Sequence, residues 1–296
     1  MRTSAEVSDE PRRTTVAGLA ALAAGRADGP TVLMLPGYTG SKEDFAPVLP
    51  LLAAAGLRAV AVDLRGQYES AADPHWADSQ FTVDALAADV ATAAAELGGH
   101  VHLVGHSFGG LVARAALIGH AAMLGSVVLL GSGPAAIVGP RRLALQAMFF
   151  VHRQSGLDAV WEGARALDTV PRSPEEVEFL RHRFFASSER GMLAMGEVLL
   201  AEPDRVVDAA AVADIHGIPL LVAHGVGDDA WPPALQADMA VRLGARYAVI
   251  PDALHSPAAQ NPAGTADVLV AFVRDAVAGS AALTGPGADG DSAEVA

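Results

Sequence analysis

The sequence predicts an α/β protein built on a doubly wound, mostly parallel sheet. Three observations carry this expectation. Short, almost wholly apolar runs recur along the chain, helical patterns alternate with them, and the spacing between runs leaves room for crossover connections. The runs fall at 31–35, 58–63, 101–105, 126–130, 218–223 and 246–250. Parallel strands covered by helices on both faces have no polar side, which explains why these runs do not alternate. Between them, Val83, Leu86, Ala87, Val90, Ala94 and Leu97 share one helical face at a period of 3.6. Val268, Leu269, Phe272, Val273 and Ala276 do the same near the end, after an Asn261-Pro262 pair that suits an N-cap and a first helical position.

One interval breaks the rhythm. Ninety-two residues separate Ser126 from Ile218, where a crossover needs only about a dozen plus its helix. Residues 134–214 carry helical patterns at 143–151, 157–167, 175–185 and 191–200 and no convincing strand, so they form a helical insertion. An insertion after a strand's C-terminal end lies on the side where α/β proteins bind ligands, and a lid is expected. The core is then 15–133 with 215–278. Residues 1–14 and 279–296 are rich in small and polar residues and are expected to be disordered.

Composition excludes several functions. Twenty Lys and Arg against 34 Asp and Glu give a net charge of −14, which disfavours nucleic acid and anionic membrane surfaces as partners. Without cysteine there are no disulfides, thiolate nucleophiles or Cys-ligated metals. Lys42 is the single lysine, and its setting, Gly40-Ser41-Lys42-Glu43, lacks the ending of a phosphate loop. No apolar run reaches the roughly 18 residues of a membrane span. Residues 16–23 resemble a short export signal, but Glu6, Asp9 and Glu10 precede them where such signals are basic, so a cytoplasmic protein is expected.

The chemistry is carried by Val101-His102-Leu103-Val104 running into Gly105-His106-Ser107-Phe108-Gly109-Gly110. Strand, G-x-S-x-G and helix together describe a turn so tight that its serine is held in a strained conformation above the sheet. Small residues two before and two after the serine avoid collision, and the following helix aims N–H groups at developing negative charge.

On these residues the chain, from about 30 to 278, resembles the α/β-hydrolase superfamily, in its serine-nucleophile, lid-containing, esterase- and lipase-like branch. The resemblance implies a Ser, acid, His order and a lid after the sixth strand. Of ten histidines, only His255 follows a late strand, in Pro251-Asp252-Ala253-Leu254-His255, and it takes the position of the base. The family's acid lies three residues after a glycine, which selects Asp228 from Gly225, with Asp229 as the alternative. The oxyanion hole implied by the resemblance uses the N–H groups of Phe108 and Tyr38. Tyr38 lies in Leu35-Pro36-Gly37-Tyr38, where the family often has His-Gly. Asp63-Leu64-Arg65-Gly66 also resembles a family turn, with the usual Gly-His-Gly continuation altered to Gln67-Tyr68-Glu69.

Competing signals are weaker. Gly131-Ser132-Gly133-Pro134-Ala135-Ala136 matches G-x-G-x-x-A, but Pro134 and Pro140 follow it and the second strand of a dinucleotide site is missing, so no cofactor is expected. His100 and His102 lack a third ligand, so no metal is expected either. In the insertion, Met148, Phe149, Phe184 and Met192 leave two readings open: packing alone, or the roof of an apolar pocket to which Trp231 would contribute. The expected function is a serine hydrolase cleaving a carboxylic ester of a small to medium apolar substrate through Ser107, His255 and Asp228. Thioester, lactone, C–C bond and perhydrolysis chemistry share the same triad, and a non-catalytic receptor on the same fold is the alternative from another class. Oligomeric state leaves no mark in the sequence.

Overall fold

Eight strands form one sheet in the order β1-β2-β4-β3-β5-β6-β7-β8. The computed structural model describes residues 9–283 except 71, 72, 74 and 169. Strands β3 (Thr31–Leu35), β4 (Arg58–Val62), β5 (Val101–His106), β6 (Leu124–Leu130), β7 (Leu220–Gly225) and β8 (Arg246–Ile250) are all parallel. They are the six runs expected from sequence, with ends moved by one or two residues.

Each central strand feeds two cores because both faces are apolar. Leu33, Leu35, Val60, Val62, Val127, Leu129 and Val222 face one way. There they meet α2 (Val83–Glu96), α3 (Phe108–His120), α7 (Val206–His216) and α8 (Pro233–Leu243). Their neighbours Val32, Met34, Ala59, Ala61, Val128, Leu130 and Leu221 face the other way, onto α1 (Leu49–Ala54) and α10 (Pro262–Leu283). Asn261 caps α10 as expected, its side-chain oxygen accepting the Gly264 N–H at 2.9 Å.

Three expectations need correction. Arg12, Arg13 and Thr14, expected to be disordered, lie in β1 (Arg12–Val16), which pairs antiparallel with β2 (Leu19–Ala24) across a two-residue turn at Ala17 and Gly18. Four of the five β1 residues are exposed, so its order comes from ladder hydrogen bonds, which composition cannot report. The segment 16–23 is therefore part of the sheet. At the other end α10 continues through 279–283, while residues 1–8 and 284–296 lie outside the described residues. Finally, most of α7 falls in the expected insertion 134–214, yet the helix belongs to the core layer: Val206, Ala209 and Ala213 are buried against α3 and α8.

The insertion proper comprises α4 (Gly139–Leu167), α5 (Pro174–Ala186) and α6 (Glu189–Ala201), with α4 broken at Gly156 (φ 77°). Its two stems are tied together where they leave the sheet. Ala136 N–H donates to Glu202 O at 2.8 Å and Ile137 N–H to Leu199 O at 2.9 Å. Beneath them the buried Arg114 guanidinium donates to the carbonyls of Gly133 and Pro134 and to the Glu202 carboxylate.

Candidate active site

Ser107 stands between β5 and α3 with φ 53° and ψ −116°, a conformation that L-residues avoid. The tightness explains both flanking glycines. A Cβ at Gly105 would overlap the Gly109 carbonyl, and one at Gly109 would press on the Leu35 and Pro36 carbonyls. The elbow is fixed by Ser107 N–H donating to Leu130 O and Gly110 N–H to Ser107 O, both at 2.9 Å.

His255 lies on the loop after β8. Gln260 holds that loop by accepting the Leu254 and Ser256 N–H groups at 2.8 and 3.1 Å. The imidazole spans the gap between serine and carboxylate: Nε2 is 3.0 Å from Ser107 Oγ and Nδ1 is 3.0 Å from Asp228 Oδ1. Asp228, on the loop after β7, also accepts the Ala230 N–H at 2.9 Å and the Gln236 amide at 3.0 Å. Burial works to raise the Asp228 pKa, but the His255, Ala230 and Gln236 hydrogen bonds outweigh it and hold the carboxyl below its usual range. A carboxylate facing Nδ1 fixes the tautomer with its proton on Nδ1, leaving Nε2 free to accept from the serine hydroxyl. Asp229, the alternative acid, points elsewhere and pairs with Arg141 at 3.0 Å in solvent.

The loop after β3 approaches the serine closely. A Cβ at Gly37 would lie 3.1 Å from both Ser107 Cβ and His106 Nδ1. Among the described residues neither the Tyr38 N–H nor the Phe108 N–H has a hydrogen-bond partner, and the latter opens α3. The Tyr38 side chain runs up into the insertion, where its hydroxyl lies 3.7 Å from Met148 Sδ, and burial raises its pKa.

A narrow crevice lies between this loop and the insertion, lined by Thr39, Gly66, Gln67, Phe184, Ser187, Met192 and Met195. Phe184 and Met192 are thus on its wall. Met148 and Phe149 pack on Tyr38 and on Gly196 of α6 instead. Trp231 is not on the crevice. It is fully buried, with its ring against Gly133 and its indole N–H donating to Ala135 O at 3.1 Å, because Gly133 leaves a slot that the indole fills. Met195 follows Met192 by three residues on one face of α6, which brings both to the same wall. Sequence reasoning missed the roles of Gln67 and Gln236. Their buried amides gave no signal in the sequence.

An eight-stranded sheet of this order, with a strained serine at the β5–α3 elbow, defines an α/β protein of hydrolase architecture. Residues 32–268 match the model of the alpha/beta hydrolase family, and the chain belongs to that family. Solved structures agree on the fold. A thermophilic esterase from Thermogutta terrifontis superposes with a TM-score of 0.71 at 24% identity, over 90% of this chain and 99% of that one. A carboxylesterase structure from Nitrososphaera gargenis gives 0.71 at 16% identity, over 90% and 100%. The enol-lactonase of Burkholderia xenovorans gives 0.67 at 22%, again over 90% and 100%. Among the described residues no helix is long and apolar enough to cross a membrane.

Proposed function

We propose that this chain is a serine hydrolase acting on carboxylic esters of small to medium apolar substrates, with Ser107, His255 and Asp228 as its catalytic triad. The observation that carries the reading is the pair of 3.0 Å contacts by which His255 joins Ser107 Oγ to Asp228. A serine hydroxyl is a weak nucleophile until a base removes its proton, and Nε2 is within reach to do so.

In this mechanism Ser107 Oγ attacks the ester carbonyl as its proton passes to His255 Nε2. The tetrahedral oxyanion is received by the Tyr38 and Phe108 N–H groups, and Asp228 stabilises the imidazolium. Collapse breaks the bond to the alkoxy group, which leaves as the alcohol with the proton from His255. Water, deprotonated by the same imidazole, then attacks the acyl-serine and the carboxylic acid departs. The apolar wall of Phe184, Met192 and Met195 supports an apolar acyl or alcohol group, with α4–α6 acting as the lid. A cytoplasmic setting is part of the same reading, on the acidic residues that precede segment 16–23.

Labelling with a fluorophosphonate probe tests the triad. Wild type is expected to label and Ser107→Ala to stay unlabelled; an unlabelled wild type overturns the enzymatic reading and favours a receptor. A p-nitrophenyl ester series of increasing chain length then reads the substrate range, with turnover expected to peak at short to medium acyl chains.

A further inference from the structure

We infer that Gln67 is a positioning residue for the oxyanion hole: its buried amide fixes the orientation of the Gly37–Tyr38 peptide whose N–H faces the reacting carbonyl. The inference rests on the hydrolase reading above and deepens it. Gln67 is 1% exposed, and its Nε2 donates to the Gly37 carbonyl at 2.9 Å. Its own orientation is set from behind, since Oε1 accepts the Leu64 N–H at 3.1 Å. The amide cannot turn over without facing Nε2 to an N–H donor and Oε1 to a carbonyl.

The Gly37 carbonyl and the Tyr38 N–H belong to one trans peptide plane, so they point in opposite directions. Holding the carbonyl toward Gln67 therefore holds the N–H away from it. The same carbonyl accepts the Gly40 N–H at 3.0 Å, which closes a four-residue turn with Thr39 at φ 57°. A left-handed threonine makes this turn a strained one, and strain of this kind persists only where neighbouring groups over-determine it. Nearby, Asp63 accepts the Lys42 N–H at 2.7 Å and the Lys42 ammonium at 2.9 Å, anchoring the far end of the same loop. That anchor does not reach the 37–38 peptide, whose carbonyl is held by the Gly40 N–H and by Gln67. Gln67 supplies the side-chain restraint at that peptide, from outside the turn that Gly40 closes and from the wall of the crevice.

Two variants test this by steady-state hydrolysis of a p-nitrophenyl ester. Gln67→Leu keeps the apolar stem and removes the donor; kcat is expected to fall about 10- to 100-fold with KM within about threefold, because the lost interaction is made in the transition state. Gln67→Glu is near-isosteric and donates only when protonated. Its kcat relative to wild type is expected to rise as pH falls from 8 to 5.5, whereas the Gln67→Leu ratio stays flat. Purely structural damage would not recover on acidification, so the Gln67→Glu profile decides even if Gln67→Leu folds poorly. A wild type that hydrolyses the ester, with Gln67→Glu matching it at every pH, overturns the inference and leaves the hydrolase reading intact. A wild type that neither hydrolyses nor labels overturns both.

Discussion

The Nε2–H of His106 donates to the backbone carbonyl of His255 at 2.8 Å. A carbonyl can only accept, so the proton of His106 resides on Nε2, and the residue before the elbow serine holds the loop that carries the imidazole. The two rings lie 5.1 Å apart. His106→Phe keeps the ring packing and takes the donor from the half-buried His255 carbonyl. The expected cost is about 1–3 kcal/mol of stability, read by urea unfolding. Misplacement of the base should lower kcat/KM by roughly ten- to a hundredfold. Wild-type values for both would show that the bond does not position His255.

Acid sensitivity follows from two buried histidines. Burial lowers the His102 pKa to about 4, and burial together with the nearby His255 charge lowers that of His106 to about 4. In the unfolded chain both titrate near 6.5, so between pH 6.5 and 4 the unfolded state binds more protons. Stability should therefore fall as pH drops through that window, by up to about 1.4 kcal/mol per pH unit for each histidine. His102→Gln, which retains a partner for the Ser126 hydroxyl, should flatten the slope by about one proton's worth at pH 5–6. Unfolding free energies at pH 7, 6 and 5 give the measurement, and an unchanged slope would remove His102 from this account.

The two neighbouring aspartates should separate cleanly. Asp228 is buried against His255 and Gln236, whereas Asp229 pairs with Arg141 in solvent. Asp228→Asn presents an amide to Nδ1 and favours the wrong tautomer, so kcat should fall about 10³- to 10⁴-fold. Asp229→Asn should stay within about threefold, since exposed pairs contribute little. The reverse result would transfer the role to Asp229.

Strain at the elbow predicts a stability difference between two Ser107 variants. Ser107→Ala keeps a Cβ at φ 53°, whereas Ser107→Gly does not. Relief of about 1–3 kcal/mol of strain exceeds the roughly 0.5–1 kcal/mol entropic cost of glycine. Ser107→Gly should therefore unfold at the higher temperature in calorimetry, and the opposite order would mean that the elbow is not strained.

Local pattern was enough to read the six parallel strands and the elbow, because each depends on residues close together in the chain. It failed at β1, whose four exposed residues resemble a disordered leader until β2 pairs with them. It failed again at α7, where three buried apolar residues look the same whether they pack a lid or the sheet.

The sequence by itself determined that a serine would stand on a strained strand–helix turn, and its resemblance to a known family pointed to His255 and to Asp228 or Asp229 as residues to meet it. Only the tertiary structure decided that Asp228 rather than Asp229 faces the imidazole, that Trp231 fills a slot at Gly133 instead of lining the crevice, and that Gln67, Gln236 and His106 brace the residues around Ser107. The reason is physical. A backbone turn is dictated by neighbours in the chain, whereas a buried amide or imidazole takes its meaning from the donor or acceptor it meets, and for His106 that partner lies 149 residues away.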